Sequence, residues 1–357
     1  MRRILGLLPV ALSLVLFGAV TAYAPAEAQV HHALRWHISN VGADQELRGL
    51  APVSRRAAWV SGDAGGVWRT TNGGATWQDV SPPGSTADTL YRDVEARDAR
   101  HALVLAIGEG EDSKILRTSD GGRTWQTTFV NDDPNAFYDC MAMWPGGRVG
   151  IAMSDPPDGK FRIIRTHDGG RSWHVVSNAG MPEAGSAEFG FAASGTCLVT
   201  AGHSDAFLAS GGSDSRIYRS HDRGTTWTAV DSPIPPVTDA GGTFGLAFRN
   251  RWSGLAVGGD YTQPDNGANA SAYTRDGGHT WVGGGDLGGY RSGVAWVPRT
   301  RGTAIAVGTS GSDVTFDGGR VWHAFAVDQG GFDSVQCLRA GVCWASGADG
   351  RVGVLRR

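Results

Sequence analysis

One nonamer recurs along the chain and leaves few folds open to it. Arg69-Thr-Thr-Asn-Gly-Gly-Ala-Thr-Trp77 returns as Arg117-Thr-Ser-Asp-Gly-Gly-Arg-Thr-Trp125, as Arg165-Thr-His-Asp-Gly-Gly-Arg-Ser-Trp173 and as Arg219-Ser-His-Asp-Arg-Gly-Thr-Thr-Trp227, and two further copies end at Trp281 and Trp322. These tryptophans lie 48, 48, 54, 54 and 41 residues apart. Self-similarity at such a period marks a repeat architecture, in which each unit is one supersecondary element that buries its apolar face only against its neighbours.

The chemistry of the nonamer is that of a turn. Asp120, Asp168, Asp222, Asp276 and Asp317, and Asn72 in the first copy, stand where a side-chain oxygen accepts backbone N–H groups across a tight loop. The glycines that follow supply positive φ, and the tryptophan opens the next strand as a large apolar anchor. Equivalent acids in successive units argue for a structural role and against catalysis. Composition agrees: 54 glycines in 357 residues would punctuate helices at a cost of about 1 kcal/mol each, so short strands joined by tight turns are expected.

The nonamer resembles the Asp-box (BNR) repeat, S/T-x-D-x-G-x-T/S-W, of sialidase-like β-propellers, in which the box joins the third and fourth strands of a blade. That resemblance implies an all-β, seven-bladed propeller. Arg48–Val53 and Ala57–Val60 supply two further strands upstream of the first box, and the last unit, running to Leu355, stops before a tryptophan. The segment Leu34-Arg-Trp36-His-Ile38 is expected to complete that blade, closing the ring and removing exposed edges. Across nearly its whole length after the N-terminal segment the chain resembles the photosystem II stability/assembly factor (Ycf48/Hcf136-like) group, on the phrase from Trp59 to Trp77. It is similar, too, to exported relatives labelled "oxidoreductase" or BNR-repeat protein, on Phe137–Met143, Phe191–Cys197 and Gly258–Asp265. The first resemblance implies a chaperone-like binder of a protein client. The same boxes occur in sialidases and xyloglucanases, so they identify fold more than function.

Met1-Arg2-Arg3, an apolar run from Ile4 to Val20 and the small-residue sites Ala22-Tyr23-Ala24 and Ala26-Glu27-Ala28 follow the order of a secretory signal peptide. Cleavage after Ala28 is expected, leaving residues 29–357 as one propeller, periplasmic or secreted, and monomeric. A net charge of −3 gives no reason to expect nucleic acid, which requires a basic face. Export permits disulfides: a bridge between Cys337 and Cys343 across a short hairpin is expected, whereas Cys140 and Cys197, in different repeats, are expected as reduced, buried cysteines.

No cofactor motif is present: there is no dinucleotide loop, CxxCH or CxxC, no G-x-S-x-G, and no histidine pair at metal-ligand spacing, His167 and His221 lying in nonamer turns. Candidate site residues come instead from the face opposite the boxes. The loops joining second to third strands each carry an acid, Asp63, Glu109, Asp155, Asp214, Asp260, Asp313 and Asp349, which serves either turn chemistry or binding. Alignment of the innermost strands sets Arg48, Arg92 and Arg291 at the ring mouth, Asp139 and Asp333 at matching positions, and Tyr290 and Glu188 nearby. Converging guanidinium groups hold a carboxylate bidentately, or else pair with the loop acids. The favoured expectation is a protein or peptide client bound by Arg48, Arg92, Arg291, Tyr290, Asp139 and Asp260. The alternative is a glycosidase acting on a glycan with Asp63, Asp139, Asp155, Glu188, Asp260, Tyr290 and Asp313. Phe161-Arg162-Ile163 imitates a sialidase motif but runs straight into the third box, which deprives that alternative of its best support.

Overall fold

The computed structural model describes residues 34–355, so the signal segment 1–28 lies outside the described residues. It is an all-β, seven-bladed propeller. Blade 1 comprises Leu47–Pro52, Ala58–Gly62, Val67–Thr70 and Gln78–Asp79, antiparallel and in that order from the axis outward. Blades 2, 3 and 6 repeat this plan over residues 90–130, 138–175 and 293–325, and blade 4 over 198–231. Blade 5 (241–285) has two further strands beyond its inner edge, Gly211–Gly212 and Glu188–Phe189. That docking needs glycine: a Cβ on Gly211 would lie 2.5 Å from the Gly241 carbonyl oxygen. Blade 7 joins the chain ends, with Trp36–Asn40 pairing Arg351–Leu355 in the register Trp36 to Leu355.

The nonamers form turns between third and fourth strands. In the second copy the Asp120 carboxylate accepts from the Thr124 N–H at 3.0 Å, the Thr124 hydroxyl at 2.6 Å and the Thr118 hydroxyl at 2.9 Å, while Gly122 N–H donates to Thr118 Oγ1 at 2.9 Å. Gly121 and Gly122 have φ of +84° and +82°, conformations that cost a residue with a Cβ. Asn72 accepts the Thr76 N–H at 3.0 Å and donates to its hydroxyl at 2.8 Å, reproducing the turn without a charge.

Each unit's tryptophan packs on the preceding blade. Trp125 meets Trp59 and Trp77 meets Trp344, both edge-on at 6.3 Å; Trp173, Trp227 and Trp322 enter clusters built from the blades before them, and Trp36 does the same against blade 6. The nonamer arginine reaches the other way. Arg117 Nε donates to the Gly169 carbonyl (3.3 Å), and Arg165 to the Arg223 carbonyl (3.1 Å), each in the next blade's turn. One nine-residue unit thus carries a turn, an apolar wedge backwards and a polar latch forwards.

Two disulfides are present. Cys337–Cys343 closes a hairpin whose two cysteines are direct strand partners. The other, Cys140–Cys197, overturns the expectation of two reduced thiols. The cysteines lie 57 residues apart in sequence, but in the same place on neighbouring innermost strands. Cys140 opposes Met153, three residues beyond the partner of the nonamer Thr166; Cys197 accepts from Ala209 N–H, three beyond the partner of Ser220. In a ring of repeats, equivalent positions are adjacent whatever their sequence separation.

Candidate functional site at the ring mouth

Four of the seven innermost strands begin with an irregularity. The register slips at Arg48, Arg92, Asp139 and Phe244, and Ser292 and Asp333 occupy the same place, their N–H groups bonded to Val307 and Ser346 one residue before regular pairing starts. A bulge leaves one residue unpaired and re-aims its side chain. Here it turns that side chain toward the axis, on the face formed by the blade-to-blade and second-to-third-strand loops. The face that sequence singled out is therefore built by a repeated backbone device, not by loop composition.

Among the predicted residues the structure brings Arg48, Arg92 and Asp333 together, with Glu46, Asp63 and Tyr290. Arg48 is paired with Glu46 at 2.9 Å, and Asp63 accepts the Glu46 N–H at 3.1 Å. Burial lowers the pKa of the Arg92 guanidinium, and the charge of neighbouring Arg48 lowers it further. The Nε of each arginine is buried without a hydrogen-bond partner. Burial raises the pKa of Asp333 far above the usual carboxyl range against the pull of Arg48, with Glu46 alongside adding to the rise. Burial likewise raises the Tyr290 phenol.

Beside these groups lies a cavity of about 280 Å³ lined by Arg48, Phe191, Phe244, Tyr261, Tyr290 and Asp333, among others. Phe191 stacks on Phe244 at 3.7 Å, and Tyr290 meets Phe244 edge-on at 4.7 Å. Its floor is a segment that sequence reasoning missed. Phe191-Ala-Ala-Ser-Gly-Thr196, the lead-in to blade 4, crosses the ring: Ser194 Oγ donates to the Ser292 carbonyl in blade 6, and the Ser194 carbonyl accepts from Ser334 Oγ in blade 7, both at 2.7 Å. A Cβ on Gly195 would lie 2.4 Å from Asp93 Oδ1 in blade 2. The run of small residues was the available signal, since only small side chains fit a path through the centre.

The remaining candidates are committed elsewhere. Arg291 does not join Arg48 and Arg92. Although Tyr290-Arg291 mimics Tyr91-Arg92, it is Ser292, not Arg291, whose N–H bonds to Val307 just before the regular pairing of blade 6, and a one-residue offset in a strand reverses the side-chain direction. Arg291 is 1% exposed, pairing Asp313 at 2.6 Å and donating to the Tyr290 carbonyl at 2.8 Å and Ser310 Oγ at 3.0 Å. Asp313 lies within the strand Gly311–Thr315 rather than in a loop. Asp260 is buried and accepts from the Thr262 N–H, both the Thr238 and Thr262 hydroxyls and the Gln263 amide, a loop-capping role. Glu188 sits beside blade 4, bound by Arg216, by Tyr218 Oη at 3.0 Å and by Ser210 Oγ. Asp139 and Asp155 face each other. Burial raises both, Asp139 further because the ionised Asp155 beside it favours its protonated form, while Gly190 N–H donates to Asp155 at 2.7 Å. The second-to-third-strand loops contain Glu109, Asp214 and Asp349 as expected, with Asp349 at positive φ (57°).

No protein-family model matches the sequence, and no curated protein does. Solved structures do. A structure described as YCF48 bound to D1 peptide is 16% identical, with a TM-score of 0.65 over 90% of this chain and 97% of that one. YCF48 from Cyanidioschyzon merolae is 15% identical, with a TM-score of 0.62 over 89% and 98%. The GH74 enzyme of Niastella koreensis is 17% identical, with a TM-score of 0.56 over 88% of this chain and 53% of that one. Likeness at these identities establishes the propeller fold.

Proposed function

We propose that this chain is an exported Asp-box (BNR) propeller of the Ycf48/Hcf136-like kind that binds a protein or peptide client, without catalysis, at the bulge-lined mouth. The observation that carries the reading is the juxtaposition of two guanidinium groups, each with an orphaned Nε, and an aromatic-walled cavity of about 280 Å³. Buried donors without partners cost free energy unless a ligand satisfies their surroundings, and a carboxylate is the natural complement of paired arginines. The cavity beside them accommodates one apolar side chain. The structure with D1 peptide named above is consistent with a peptide ligand on this fold. Two disulfides suit an oxidising compartment, and no helix among the described residues is long and apolar enough to cross a membrane.

The glycosidase alternative needs two carboxyl groups about 5–10 Å apart across an open cleft. Against it, Asp139 is buried beside a half-buried Asp155, and Asp260, Asp313 and Glu188 are held by the partners described above. The test is fluorescence polarisation with labelled peptides ending in an apolar residue, as free acid and as amide. Free-acid peptides bind wild type and lose at least tenfold in affinity on Arg48→Ala/Arg92→Ala. Equal binding of the amides, or turnover of a fluorogenic glycoside panel, would overturn the proposal.

A further inference from the structure

On the nonamer face the ring encloses a second, larger chamber of about 690 Å³, bounded by the innermost strands of blades 4 to 7. The Phe191–Thr196 segment separates it from the mouth cavity, and Thr196 belongs to its wall. Its size falls in the range of small-molecule sites, about 300–1,000 Å³. Two properties of the lining stand out. The walls are mixed, with Val199, Ala247, Trp296, Val297 and Val335 supplying an apolar strip beside Thr196, Thr200, Thr300 and Gln336. Among the described residues its charged side chains are all arginines, Arg249, Arg299 and Arg339, each exposed at the start of a first-to-second-strand hairpin, and none lining it is acidic.

Among the described residues these arginines form no ion pair. Arg249 lies over the Trp296 ring at 5.2 Å and donates to the Arg301 carbonyl at 2.5 Å; neither contact neutralises its charge. A chamber with an apolar strip in its wall and a cationic rim is complementary to a ligand with an apolar body and one anionic end. Apolar burial supplies roughly 25 cal/mol per Å², and the rim selects the sign of the head group. We propose that this chamber is a binding site for an aliphatic monocarboxylate of the fatty-acid type, its chain against Trp296 and Val199 and its carboxylate at the arginine rim. The site does not rest on the peptide reading above: it lies on the opposite face and shares with the mouth only the partition Phe191–Thr196.

The test is isothermal titration calorimetry of the full mature chain with dodecanoate, and with butyrate, dodecyltrimethylammonium and an apolar C-terminal tripeptide as comparators. Dodecanoate is expected to bind with one-to-one stoichiometry and at least tenfold more tightly than each comparator. Arg249→Gln/Arg299→Gln/Arg339→Gln weakens it at least tenfold without shifting the thermal midpoint, because all three side chains are exposed. Val199→Phe, which fills the chamber and leaves the rim intact, weakens it as well and serves if the triple variant fails to fold. Absence of dodecanoate binding, equal binding of the cationic amphiphile or of butyrate, or wild-type affinity in either variant would overturn the site. Tighter binding of the tripeptide would reassign the chamber to a chain terminus and overturn the fatty-acid assignment.

Discussion

Replacing Arg291 with methionine separates structure from function at the mouth. In the native chain its guanidinium is 1% exposed, holds Asp313 at 2.6 Å, and also bonds the Tyr290 carbonyl and Ser310 Oγ. Asp313, also buried, has the Gly288 N–H at 3.2 Å as its other hydrogen-bond donor. Removing one partner of a buried pair leaves an uncompensated charge, at about 3–5 kcal/mol, a large part of a total stability of roughly 5–15 kcal/mol. Methionine fills most of the vacated volume, so the cost is electrostatic rather than a cavity. Guanidinium unfolding followed by tryptophan emission should show a lowered midpoint with an unchanged slope. Arg291→Met/Asp313→Leu should recover about 1–2 kcal/mol, since the stranded charge is gone. Peptide affinity at the mouth should change less than threefold in the folded variant. A cost below about 1 kcal/mol, coupled with lost peptide binding, would refute the placement of Arg291 outside the mouth.

Three further outcomes are expected. The Asp168 carboxylate, held by Ser172, Thr166 and Arg171 groups, titrates at about 2 instead of 3.8; its contribution is present above pH 4 and lost as pH falls through 2, and Asp168→Ala costs about 1 kcal/mol after discounting for solvent screening, Asp168→Asn less because Asn72 already makes the same turn, both read by denaturant titration. For Asp333, raised above 3.8 by burial, the sign is opposite: stability relative to Asp333→Asn is fullest below pH 4 and declines as pH rises toward neutrality, and parallel stability–pH curves for the two proteins would exclude it. Loss of Cys140–Cys197, whose loop spans 57 residues, should cost about 4 kcal/mol on the chain-entropy relation, and loss of Cys337–Cys343, spanning 6, about 2 kcal/mol; differential unfolding of the two double-serine variants checks the order.

The architecture was legible because its instructions are local and repeated. Thr118, Asp120, Gly122, Thr124 and Trp125 lie within eight residues, and one turn explains them all. The closure by Trp36 was legible from the mismatch between a first unit with a surplus strand and a last unit lacking one. The mouth was only partly legible. Aligning the innermost strands set Arg48, Arg92, Arg291 and Asp333 at the mouth with Glu188 nearby; the structure groups Arg48, Arg92 and Asp333 and sends Arg291 and Glu188 to other partners.

What the sequence determined by itself was therefore the all-β ring, its blade count and the structural duty of its most conspicuous residues, because turn chemistry and apolar spacing act over a few positions. The tertiary structure alone decided which side chains meet. A bulge sets Arg92 at the mouth, whereas Arg291, ahead of a regularly paired strand, is sealed against Asp313. Stacking of successive blades makes neighbours of Cys140 and Cys197, and the ring brings together Ser194, Ser292 and Ser334. Side-chain direction in a strand reverses with each residue, and contacts across a closed ring join positions far apart in the chain.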